Sequence, residues 1–163
     1  MKRYLVASVA LPLLFACTPG STNTAASSQA ASAAAPQTVQ QAAQQWGLIG
    51  TWAPDCSQAP SQEDEHATYA LEGDGTVSLT YNDGPDIVPN RYIWNQALVL
   101  QPANKLQMDG VFLGDNQAQH TVLEKNDQGQ MRVFGNVDGT GKILVQNGAF
   151  PSGGAPPWES KCS

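Results

Sequence analysis

From Gly47 onward, apolar and polar residues alternate in short runs divided by turn signals. Thr76-Val77-Ser78-Leu79-Thr80-Tyr81 places Val77, Leu79 and Tyr81 on one face and the hydroxyl residues on the other. That period of two in β-branched and aromatic residues predicts a half-buried strand. The run Ala67 to Glu72 carries Tyr69 and Leu71 on one side, and Glu72-Gly73-Asp74-Gly75 joins the two as a hairpin. Asn82-Asp83-Gly84-Pro85 then breaks the chain. Further strands are predicted at Arg91 to Asn95, Ala97 to Leu100, Lys105 to Met108, Val111 to Leu113, His120 to Lys125, Met131 to Val137 and Lys142 to Gln146. Asp109-Gly110, Asp127-Gln128-Gly129 and Asp138-Gly139 read as turns between them, each suited to positive φ. No run after Gly47 keeps a helical period over three turns. The pattern predicts an all-β domain, either a small antiparallel β-barrel or a sandwich.

Upstream the pattern changes. Residues 18–37 carry no charge and no apolar residue larger than alanine, which predicts a disordered tether. At 20 residues its r.m.s. reach would be roughly 25 Å. A short helix is predicted from Val39 to Gln45, ended by Gly47 and marginal by itself. At the other end, prolines 151, 156 and 157 exclude regular structure from the tail. The tail is expected to cross the domain irregularly, bury Trp158 as a plug and bring Cys162 to Cys56.

The first seventeen residues have the parts of an export signal: Lys2 and Arg3, then an uncharged apolar run from Tyr4 to Ala16. That run falls short of the about 20 apolar residues of a permanent membrane span. It ends Leu14-Phe15-Ala16-Cys17, and here the chain resembles bacterial lipoprotein precursors, whose lipobox has an aliphatic residue, then a small residue, before an invariant cysteine. The resemblance implies cleavage before Cys17 and a diacylglycerol thioether on its sulfur, which anchors the chain to a membrane. Thr18 follows where an aspartate would retain the protein in the inner membrane of enteric bacteria, so the resemblance implies outer-membrane sorting in a Gram-negative host. The implied organisation is a signal peptide at 1–16, a lipidated Cys17 with its linker at 17–45, and a β-domain at 46–163.

The chain has 8 basic and 14 acidic residues, a net of −6, and processing before Cys17 would take this to −8. With no run of Lys or Arg, the sequence argues against nucleic acid as a partner. Of the three cysteines, Cys56 and Cys162 remain if Cys17 takes the lipid. Export to an oxidising compartment then predicts a disulfide that closes almost the whole domain in one loop.

Motifs for chemistry fail on inspection. Gly139-Thr140-Gly141-Lys142 lacks the first glycine and the hydroxyl residue of a phosphate loop. Glu63-Asp64-Glu65-His66 is the densest ionisable cluster, but consecutive loop residues splay apart, and it reads as a solvated loop. His66 and His120 have no ligand spacing, so no metal and no cofactor is expected. There is no nucleophile elbow and no Ser-x-x-Lys, and no catalytic residue is assigned. Gly50-Thr51-Trp52 resembles the G-x-W that opens the first strand of lipocalin-type barrels, and the stretch to Cys56 also resembles uncharacterised exported bacterial proteins closed by a last cysteine. The first resemblance implies a barrel with Trp52 across its floor. Trp52, Tyr69, Tyr81, Trp94, Phe112 and Phe134 are the candidates to line a pocket or fill a core. The expectation is a non-enzymatic envelope lipoprotein whose β-domain binds a small apolar ligand or an envelope protein. The alternative is an inhibitor-type protein acting through the loop at 147–157 or at 61–66.

Overall fold

The computed structural model describes residues 37–163; the predicted signal peptide, Cys17 and most of the tether lie outside the described residues. The domain is nearly all β. One short helix, α1 (Val39–Trp46), precedes β1 (Gly50–Ala53), β2 (His66–Leu71), β3 (Val77–Asn82), β4 (Arg91–Leu100), β5 (Lys105–Phe112), β6 (Gln117–Lys125), β7 (Met131–Asp138), β8 (Ile143–Val145) and β9 (Ser160–Lys161).

All nine strands form one antiparallel sheet in the order β8-β7-β6-β5-β4-β3-β2-β1-β9. Each of β1 to β8 therefore pairs with its neighbour in sequence, and the sheet curls as a barrel rather than splitting into a sandwich. The tail joins its two ends. On one side β9 pairs with β1. On the other, Glu159 and Met131 exchange backbone hydrogen bonds of 2.8 and 2.9 Å with each other, linking the tail to the start of β7.

Cys56 and Cys162 are bonded, with Cα atoms 5.4 Å apart and a sequence separation of 106. On the chain-entropy account a loop of that size contributes up to about 4.7 kcal/mol. The tail is thus more regular than its prolines predict: it ends in a strand, and Cys162 N donates to Thr51 O. Trp158 is no plug. It is half-buried under the Arg132 guanidinium, 4.3 Å from the ring centre, and Pro156 is the buried residue of that segment.

One predicted break between strands and one predicted turn are strand instead. Arg91 to Leu100 is one strand with an irregularity between Trp94 and Gln96. Asp109-Gly110 lies inside β5, where Gly110 has no positive φ. A Cβ on Gly110 would stand 2.0 Å from the carbonyl oxygen of Ile93. Glycine is there because the backbone of β4 comes too close for any side chain.

The helix belongs to the domain, which begins before residue 46. Thr38 caps it: its hydroxyl accepts from Gln41 N, and the Gln41 side chain accepts from Thr38 N. Gly47, at φ 76°, ends it by donating to the carbonyls of Ala43 and Gln44. Eight residues are too few to hold a helix in water. Packing holds this one: Val39, Ala42, Ala43 and Trp46 share a face and join the core with Trp52, Tyr69, Val77, Leu79, Trp94, Leu106, Met108 and Leu123. Gln40 donates to the carbonyls of Glu72 and Thr76 in the β2–β3 turn, and Lys125 donates to Trp46 O. Because strands alternate in direction, the β2–β3, β4–β5 and β6–β7 turns share one end of the barrel with the helix. The β1–β2, β3–β4 and β7–β8 connections gather at the other. Among the described residues, no helix is long and apolar enough to cross a membrane.

Candidate functional site at the open end of the barrel

The helix-free end holds a cleft of about 480 Å³. The two loops nominated separately from the sequence meet at its rim. Residues 61–66 bring Gln62, Glu63 and Glu65, and residues 147–157 bring Phe150, Pro156 and Pro157. Tyr81 at the end of β3, Val133 on β7 and Val145 on β8 form the deeper walls, and Glu159 enters from the tail just before β9. A volume of this order, with mostly apolar walls and a few polar groups, lies in the range of small-molecule sites, about 300–1,000 Å³.

The candidate aromatics divide. Trp52, Tyr69 and Trp94 are buried in the core. The Trp52 indole N–H donates to Leu48 O at 2.7 Å, so the G-x-W tryptophan braces the link between helix and first strand. Tyr81 lines the cleft. Phe112 is half-buried with its ring centre 4.9 Å from Tyr92, and Tyr92 stacks on Trp94 and meets Tyr81 edge-on. Phe134 lies outside the core. It falls where the β6–β7 register shifts, and Lys105 Nζ sits 3.3 Å over its ring.

The acidic loop is not simply solvated. Asp64 is buried, accepts from Asp55 N at 3.0 Å and lies 3.4 Å from His66 Nε2. Glu65 turns into the cleft. Burial, then the Asp83 carboxyl beside it and the Glu159 carboxylate, push the Glu65 carboxyl up to about 8. Burial pushes Glu159 up to about 7. Burial also raises the Tyr69 and Tyr81 hydroxyls, with both glutamates adding to the shift. Among the described residues, neither Glu65 nor Glu159 has a basic partner, and no Lys, Arg or His lines the cleft.

Four of the basic side chains are engaged elsewhere. Lys125 and Lys161 donate to Trp46 O and Gly47 O at the C-terminal end of the helix, where cations are favoured. Lys105 and Arg132 meet Glu124. The second close acid–base pair, His120 Nδ1 with Asp109 at 2.6 Å, is partly exposed and belongs to β5 and β6. Around Gly141, at φ 84°, Asp138 accepts from Thr140 and Lys142, so that segment is a hairpin turn.

Chemically, the cleft can keep a proton on a carboxyl near neutral pH, donate or accept hydrogen bonds, and hold an apolar body. No serine, threonine, cysteine or histidine lines it as a nucleophile or base. Among the described residues, no group of three His, Cys, Asp or Glu is placed to hold a metal ion. Glu65 and Glu159 escape sequence reasoning because one sits in an acidic run and the other just after the tail prolines. The one available signal is that Glu159 is the sole acid after Asp138.

Fold and cleft together define a small meandering β-barrel with a helix over one end and an acidic, apolar-walled cleft at the other. No family model, no curated protein and no solved structure matches the chain.

Proposed function

We propose that this is a lipid-anchored protein of the bacterial cell envelope, non-enzymatic, whose β-domain binds a small apolar-bodied ligand in the end cleft. The anchor is the diacylglycerol on Cys17, which rests on the run Leu14-Phe15-Ala16-Cys17 after a charged and apolar leader. The membrane is then a partner through that lipid, and Thr18 favours the periplasmic face of an outer membrane. The acidic chain argues against nucleic acid.

The observation that carries the binding role is the cleft of about 480 Å³, walled by Val133, Val145, Phe150 and Pro156. A closed, solid core would support no such role. An inhibitor-type action through the 147–157 loop is the second reading, favoured by Phe150, which is 40% exposed on that loop.

The test has two arms. A palmitate analogue should label the full chain in a bacterial host and fail to label Cys17→Ser. The full chain should also bind neutral phenylbutanol, and Val133→Trp, which fills the cleft, should remove that binding. Labelling that survives Cys17→Ser defeats the anchor, and binding that survives Val133→Trp defeats the cleft.

A further inference from the structure

Glu65 and Glu159 reach the same cleft from opposite ends of the domain, one from the β1–β2 loop and one from the tail beside β9. Among the described residues neither carboxyl has a basic partner: Glu65 meets only another acid, the Asp83 carboxyl, and Glu159 makes no ion pair. Asp55, Asp74 and Asp138 accept from their own turns, Glu124 meets Arg132 and Lys105, and Asp109 meets His120. Two carboxyls with no cation beside them in a partly desolvated recess are costly to ionise unless something compensates them. The walls that face them are apolar, and the third carboxylate on the rim, Glu63, adds to the same sign.

We propose that the cleft takes a small organic cation, its ammonium group seated between Glu65 and Glu159 and its apolar body against Val133, Val145 and Phe150. This rests on the reading of the cleft as a ligand site. The cationic class follows from the lining: three carboxylates, no basic side chain, and the Tyr81 hydroxyl as an added hydrogen-bonding group. An anion would meet the Glu63 carboxylate on the rim and would oppose the ionisation of Glu65 and Glu159. A neutral apolar molecule would leave both carboxyls protonated and draw nothing from their charge.

Binding is coupled to proton loss. With burial holding Glu65 up to about 8 and Glu159 up to about 7, the empty cleft keeps protons at neutral pH. An ammonium group replaces them, and the protons leave to solvent. The other titratable groups around the site are Asp83 beside Glu65, Glu63 on the rim, and Tyr69, Tyr81 and Tyr92 behind. His66, next to Glu65 in sequence, faces Asp64.

The experiment compares phenylbutylammonium, phenylbutanol and phenylbutanoate by calorimetry on the full chain, at about pH 5.5 and about pH 8.5. An alkylammonium with a pKa near about 10.4 is charged at both. The expected result is a preference for the ammonium over the alcohol of about tenfold or more at the higher pH, shrinking about tenfold at the lower, with protons released on binding. Glu65→Gln and Glu159→Gln should each cut ammonium affinity about tenfold while leaving the alcohol within about twofold, which also reports that the variants fold. If the alcohol or the butanoate binds as tightly as the ammonium, the cation inference fails and the cleft survives as a ligand site. If none of the three binds, the cleft reading fails and this inference falls with it.

Discussion

Glu65 and Glu159 decide how stability responds to pH. Their ordinary value is 4.5, and the folded chain raises them to about 8 and about 7. The folded state therefore holds protons that the unfolded chain has released. The stability this contributes is full below about pH 4.5 and is lost as pH rises through 7 and 8. Asp55, Asp74 and Asp138, held below their usual value by hydrogen bonds from Ser57, Thr76 and Thr140, are already ionised above pH 5 and add no slope there. The melting temperature of the full chain should fall between about pH 5 and pH 8.5 by a few degrees, about 1–2 kcal/mol once solvent screening of the partly exposed Glu65 is discounted. Glu65→Gln with Glu159→Gln should flatten that fall, and a wild-type melt that rises over the same range would contradict the burial of these acids. Neither residue was legible as a site in the sequence. Alternation reports which way a strand residue points, but the direction of Glu65 depends on how a loop folds back, and that of Glu159 on where the tail lands.

At the scale of elements, strands were legible wherever alternation was clean. Val77, Leu79 and Tyr81 do share a face, with the first two in the core and Tyr81 at the cleft. Asp109-Gly110 misled because glycine has two uses, permitting positive φ and permitting close approach, and a single sequence does not separate them. Here the second applies. Gly110→Ala should destabilise the domain by about 3 kcal/mol or more, since a methyl group 2.0 Å from Ile93 O forces β4 and β5 apart. A urea midpoint within error of wild type would show that the two strands are farther apart than described. The helix itself was legible from its composition and Gly47, but its docking was not. Apart from Val39 and Trp46 its inner face is alanine, a weak apolar signal whose value lies in letting the helix sit close over the sheet.

At the scale of the whole molecule, the cysteine count predicted the clasp, and the Cys56–Cys162 bond closes it. What the count could not convey is that the tail also completes the sheet, pairing with β1 through Ser160 and Lys161 and with β7 through Glu159. That second role sets the cleft. The same three-residue stretch that fastens the two ends of the barrel places an acid at the seam, opposite another from the first long loop. The helix and its lysines occupy one end, and the uncompensated carboxyls occupy the other. The cleft is a ligand site only if those carboxyls are enclosed together. A carbon-13 NMR titration of the glutamate side chains in the full chain tests it most directly, with Glu65→Gln and Glu159→Gln giving the assignments. Midpoints near 8 for Glu65 and near 7 for Glu159 are predicted; if both instead titrate at their ordinary 4.5, the carboxyls stand in open water and the cleft is not the site described.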